Sequence, residues 1–148
     1  MSRLGRTPSQ TVGPFYAIGL CRRRDDELDP EGVELTGLLL DGRDEPVWDG
    51  MIEVWDSAAR RWGRSNTDRG GRFRLRVRGD AEVLEAFVFA RGLLRHQRTR
   101  IYLRDSQDEV LGSLAPDDRA TLIAQAEDGG FRFDIRMQGP RATVFFAH

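Results

Sequence analysis

From residue 33 onward the chain alternates between apolar and polar positions. Phe73, Leu75 and Val77 fall on one face of an extended chain, and Arg72, Arg74, Arg76 and Arg78 fall on the other. That two-residue period is the signature of a half-buried β-strand. It returns at Ile101 and Leu103 against Arg100 and Arg104, and at Phe131, Phe133, Ile135 and Met137 against Arg132, Asp134, Arg136 and Gln138. Residues 33–40 form an apolar run broken only by small or polar positions, and 51–55 begin a further strand. Residues 84–89 are more continuously apolar and predict a central strand covered on both faces. Residues 142–146 close the set. Turn chemistry separates these runs, with Asp, Gly and Pro across 41–46 and Asp68, Gly70 and Gly71 across 67–71. The second of these predicts a hairpin-like reversal, because glycine tolerates the positive φ that a tight turn needs.

One helix is predicted near 116–127. Pro116 suits an early helical position, Asp117 and Asp118 suit the positive end of the helix dipole, and Gly129-Gly130 would stop the helix. Residues 1–20 carry Gly5, Pro8, Gly13, Pro14 and Gly19, too much punctuation for a helix or a long strand. They also carry Val12, Phe15, Tyr16, Ile18 and Leu20, which a free tail has little reason to expose. The segment is therefore expected to be an extended arm that docks, on its own domain or on another chain. The expected organisation is a docking arm and polar loop over 1–32 and one antiparallel β-sandwich domain over 33–148, an all-β fold with one short helix.

Charge narrows the function classes. The chain has 148 residues with 23 basic against 24 acidic side chains, so no nucleic-acid or anionic-membrane footprint is expected. Every basic residue is Arg, whose planar fork can take a carboxylate bidentately where Lys cannot. Cys21 is the single cysteine, which excludes an internal disulfide. The apolar stretch 84–94 is interrupted by Glu85 and Arg91 and is too short to span a bilayer. A cytoplasmic protein is the expectation.

The residues offer little catalytic apparatus. Two histidines, His96 and His148, and two tyrosines, Tyr16 and Tyr102, occur without any His-x-His or Cys-x-x-Cys spacing, so no local metal-ligand pair is pre-positioned. His96 reads as a surface-loop residue and His148 as a frayed terminus. No Gly-x-Ser-x-Gly elbow is present, and Cys21, beside Arg22, Arg23 and Arg24, reads as an incidental thiol. Two features stand out. One is the segment 7–16, Thr-Pro-Ser-Gln-Thr-Val-Gly-Pro-Phe-Tyr. The other is Arg91, which ends the run Phe87-Val88-Phe89-Ala90. A cation there needs a carboxylate, a carbonyl or water. An internal acid and an acidic ligand or partner are both consistent with it.

These same features resemble the alpha chains of protocatechuate 3,4-dioxygenases, which are intradiol ring-cleaving enzymes. The resemblance covers 7–16, then Val88-Phe89-Ala90-Arg91-Gly92-Leu93-Leu94 with Thr99-Arg100-Ile101-Tyr102. It continues through 119–124, 131–139 and Thr143-Val144-Phe145-Phe146, in the family's order. Residues 33–37, 46–47, 52–55 and 67–73 match too, though they also match transthyretin-like sandwich modules in general.

The resemblance implies a non-iron-binding subunit. Fe(III) would be held by two tyrosines and two histidines of a beta-chain partner, with no metal ligand and no catalytic residue on this chain. Where the His-x-His of a metal-binding chain would stand, this sequence has Leu84-Glu85-Ala86-Phe87. Thr11, Gly13, Pro14 and Tyr16 would wall a pocket for protocatechuate or a related catechol acid near the alpha–beta interface, and Arg91 would support its polar side. The chain looks short for the family, with trimmed loops expected over 55–64 and 77–84. The competing reading is a transthyretin-like binding or scaffold module without enzymatic activity.

Overall fold

Two sheets close on one another through the apolar faces that the alternation marks. The computed structural model describes residues 15–147, except for the side chains of Phe15, Tyr16 and Ile18. In chain order the elements are α1 (Phe15–Leu20), β1 (Val33–Leu40), β2 (Met51–Asp56), β3 (Arg61–Asn66), β4 (Arg72–Val77), β5 (Val83–Phe89) and β6 (Gln97–Tyr102). There follow α2 (Glu109–Ser113), α3 (Pro116–Ala120), β7 (Gln125–Glu127), β8 (Gly130–Arg132) and β9 (Ile135–Arg136). The first sheet runs β4-β1-β8-β7 with β9 also on β1, and the second runs β3-β2-β5-β6. Leu35, Leu39, Phe73, Leu75, Phe133 and Ile135 from the first sheet meet Ile52, Val54, Leu84, Ala86, Val88 and Ile101 from the second. This is the expected β-sandwich, built on the expected residues.

Several details differ from the expectation. Sheet pairing is not wholly antiparallel, since β8 and β9 both run parallel to β1. Residues 131–137 do not form one continuous strand. At the break, the Leu38 N–H donates to Asp134 Oδ1 at 3.1 Å, so a side chain replaces a backbone acceptor in the ladder. Residues 67–71 form a connection between sheets rather than a hairpin, because β3 pairs with β2 while β4 pairs with β1. The glycine argument still holds there, as Gly71 has φ 73°. β5 is buried on alternate residues only, so its outer face is half-covered. Residues 142–146 form no strand. The Thr99 hydroxyl donates to the Val144 carbonyl, the Thr121 hydroxyl accepts from the Val144 N–H, and one bridge joins Arg98 to Phe146.

The helices also differ. The one near 116–127 is confined to α3, residues 125–127 belong to β7, and α2 precedes it. At the N-terminal side, 15–20 is helical rather than extended. Of the residues that argued against a helix, only Gly19 falls within it, and one glycine costs a helix only about 1 kcal/mol. The loop 22–31 joins the two sheets: the Asp25 carbonyl accepts from the Arg64 N–H on β3 and the Asp26 carbonyl from the Arg76 N–H on β4, both at 2.7 Å. Leu28 anchors it, buried against Gly63. Arg24 and Glu27 pair at 2.9 Å, which neutralises part of the loop's charge within the loop itself.

Candidate functional site

The outer face of the second sheet is where the chemistry gathers. Alternation along β5 sends Leu84, Ala86 and Val88 into the core and leaves Val83, Glu85, Phe87 and Phe89 outside. Of the stretch 84–87, Glu85 and Phe87 therefore belong to this face. At the β6 end it is covered by Leu111 of α2 and by Leu122, Val144 and Phe146, which pack around the buried Tyr102. Near the opposite strand ends Ala17 of α1 and Cys21 pack on Met51 and Phe89. Between these covers lie two ion pairs, Arg64–Glu53 at 3.1 Å and Arg98–Glu85 at 3.0 Å. Among the described residues, the buried Nε atoms of Arg64 and Arg98 have no hydrogen-bond partner.

Arg91 stands at the corner where α1 enters. Met51 and Phe89 are paired across β2 and β5, so the residues just beyond them, Asp49 and Arg91, meet. Arg91 Nε lies 3.0 Å from Asp49 Oδ2, with the Arg91 side chain 56% exposed and the Asp49 side chain 5% exposed. The pair is close enough for full ionic attraction. Its alignment is not that of a hydrogen bond, because Asp49 Oδ2 remains without one. The guanidinium also sits over the Trp48 ring, 5.5 Å from its centroid, in cation–π range. Arg91 thus has the internal acid that one of the two readings expects, and its side chain is 56% exposed.

The sequence pointed to Arg91 but not to Asp49 or Trp48, which arrive from the β1–β2 connection, far away in the chain. Their signal is only Trp48-Asp49-Gly50 beside a strand start. His96 is half-buried, not a free surface residue. Its ring lies 5.4 Å from Phe87 and 5.3 Å from Phe89. Thr11, Gly13, Pro14, the Tyr16 side chain and His148 lie outside the described residues.

The described residues do not fit a metal. No group of three or more His, Cys, Asp or Glu is gathered among them. Tyr102 is committed elsewhere: its hydroxyl donates to Asp108 Oδ1 at 2.9 Å and accepts from Arg100 at 3.2 Å. Burial raises the Tyr102 pKa, outweighing the lowering effect of Arg100. Cys21 is likewise quiet. Burial pushes its thiol up despite the opposing charge of Arg64, the reverse of what adjacent arginines in the sequence would suggest. A separate groove of about 470 Å³ lies between α3 and the C-terminal segment, lined in part by Arg132, Arg136 and Arg141. Those cations are paired with Asp134 and Asp44, so the groove offers no unpaired guanidinium.

Known proteins bear on this geometry. No protein-family model matches the chain. The protocatechuate 3,4-dioxygenase alpha chain of Burkholderia cepacia is 35% identical over 196 aligned positions, covering 99% of each chain. The corresponding chain of Pseudomonas putida is 32% identical over 194 positions, covering 97% of this chain and 96% of that one. Among solved structures, the dioxygenase domain of a dioxygenase–carbohydrate-binding fusion from Streptomyces sp. SirexAA-E gives a TM-score of 0.57 at 19% identity. It covers 95% of this chain and 100% of that one.

The structural likeness assigns the class of fold, the β-sandwich of that dioxygenase domain. The sequence likeness goes further: the chain belongs to the family of protocatechuate 3,4-dioxygenase alpha chains. An alignment of 196 positions against 148 residues means that the relative carries segments missing here. Of the two connections expected to be trimmed, the one between β2 and β3 is a tight turn. The β2–β3 turn is closed by the Ala59 N–H donating to Asp56 Oδ1 at 3.0 Å, with Arg60 at φ 54°.

Proposed function

We propose that this chain is the non-iron-binding alpha subunit of a dioxygenase that cleaves protocatechuate, or a closely related catechol acid, between its two hydroxylated carbons. Family membership over nearly the whole length, at 35% identity, is the observation that carries this reading. Both atoms of O2 would enter the product, 3-carboxy-cis,cis-muconate in the case of protocatechuate. The ferric centre belongs to a beta-chain partner in this reading, and no step is routed through a metal on this chain. What this chain supplies is enclosure and polarity. Thr11, Gly13, Pro14 and Tyr16 wall the pocket and help exclude water, with 1–32 acting as the docking segment of the sandwich domain 33–148. Arg91 faces the pocket's polar side, where a half-exposed guanidinium suits the carboxylate of a catechol acid. No helix among the described residues is long and apolar enough to cross a membrane, and we place the assembled enzyme in the cytoplasm.

The test is iron content and protocatechuate-dependent O2 uptake, for this chain alone and co-expressed with a candidate beta chain. Iron and activity only in the co-purified complex are expected. Activity from this chain by itself would contradict the assignment of the metal to the partner. A chain that binds no such partner would favour the scaffold reading.

A further inference from the structure

We infer that Asp49 and Trp48 are positioning residues that turn Arg91 from a diffuse cation into a directional carboxylate donor. This rests on the proposed placement of Arg91 at the substrate's acid group. Three observations carry it. Asp49 is a buried carboxylate 3.0 Å from Arg91 Nε, so its charge draws the guanidinium inward from the Nε side. Trp48 lies beneath the guanidinium at 5.5 Å and restricts its rotation out of plane. Arg91 makes no hydrogen bond to any described residue through either Nη, and the side chain is 56% exposed. Among the described residues, the edge left open is the Nη pair, which matches the two oxygens of a planar carboxylate.

The arrangement also decides between two ways in which an arginine can favour an acid. Opposite charges 3.0 Å apart largely cancel at a distance, since the field of a close pair falls faster than that of a lone charge and salt screens the rest. Asp49 therefore weakens any long-range attraction by Arg91 while fixing where its donors point. A pure attraction mechanism would improve on losing Asp49. An orientation mechanism would suffer.

The experiment uses the co-assembled enzyme and measures KM and kcat for protocatechuate, and inhibition constants for the pair 4-hydroxybenzoate and phenol, which differ by the carboxylate. Asp49→Asn keeps the shape of the side chain and removes its charge. The expected result is a KM for protocatechuate raised about ten-fold with a much smaller change in kcat, the pattern of lost ground-state binding. Inhibition by 4-hydroxybenzoate should weaken in step while inhibition by phenol stays unchanged. Trp48→Leu should shift KM in the same direction, and Trp48→Phe, which keeps a ring, should restore most of it. A KM that falls or stays level in both Asp49→Asn and Trp48→Leu overturns the inference. Arg91→Gln separates the two layers. If it leaves KM unchanged, the placement of Arg91 fails. If it raises KM while the Asp49 and Trp48 variants do not, only the positioning role fails. Trp48 is half-exposed, so its variants keep the test open if Asp49→Asn does not fold.

Discussion

The Asp108 carboxylate accepts from the Tyr102 hydroxyl at 2.9 Å and, as the cap of α2, from the N–H groups of Val110 and Leu111. Burial pushes its pKa up, but the Tyr102 hydroxyl, those two N–H groups and Arg100 outweigh burial and hold it below the usual carboxylate value. A depressed folded-state pKa adds stability that is fully present above the unfolded value, near ~3.9. That stability is lost as pH falls through the folded value. Asp108→Ala should therefore cost about 1–2 kcal/mol at neutral pH, read by urea denaturation. The gap to the parent chain should narrow in acid, as the pH falls through the lowered folded value and the parent carboxyl is protonated as well. A gap of the same size at both pH values would mean that the carboxylate's charge contributes nothing. Residues like these were only half legible in the sequence. Arg91 was visible because it interrupts an apolar run. Asp49 and Trp48 were not, because they reach Arg91 only once β2 and β5 have paired, and the Tyr102–Asp108 bond was not, because it spans six residues across the end of a strand and the start of a helix, where neither period applies.

Among the elements, β1 depends on Gly37. A Cβ there would lie 1.9 Å from the Phe133 carbonyl oxygen and 2.7 Å from the Phe73 ring, so β1 and the segment between β8 and β9 approach as closely as backbones can. Gly37→Ala should cost more than about 4 kcal/mol, seen as a collapse of the thermal midpoint or as insoluble protein. An unchanged midpoint would rule out so close an approach. Leu28→Ala should cost about 2–4 kcal/mol, since it empties the anchor that fixes loop 22–31 across β3 and β4. Limited proteolysis should then cut within 22–31 before the sheets unfold. The strands that alternate, such as β4, could be read directly from the chain. β3 could not, because the one residue it buries is Gly63, which gives no hydrophobic signal. Residues 142–146 misled for the opposite reason: they are apolar enough for a strand, but the hydroxyls of Thr99 and Thr121 take both backbone groups of Val144 in the middle of the run and interrupt the ladder.

For the molecule as a whole, the sandwich was legible because two-residue alternation and turn chemistry suffice to specify packed sheets. The reaction was not legible in the residues themselves, because no group of three or more His, Cys, Asp or Glu is gathered among the described residues; the proposed function divides the site between this chain and a partner. That division has a thermodynamic consequence. A partner that binds only the folded chain stabilises it by mass action, in proportion to the logarithm of its concentration over Kd. Large side chains are available for such a contact: Trp48 is 53% exposed, Trp62 50% and Leu94 68%. Trp48 lies beside Arg91, while Trp62 stacks with Arg64 at 4.6 Å. Both flank the face on which α1 packs. Adding a beta chain at about 100 times Kd should contribute about 2.7 kcal/mol, raising the thermal midpoint by several degrees. Tryptophan emission should move to shorter wavelength as water leaves the indoles. Trp62→Phe and Trp48→Phe, examined singly, would show which indole carries that shift. If the midpoint does not depend on partner concentration and the emission does not move, the chain folds and works without such a contact, and the scaffold reading gains accordingly.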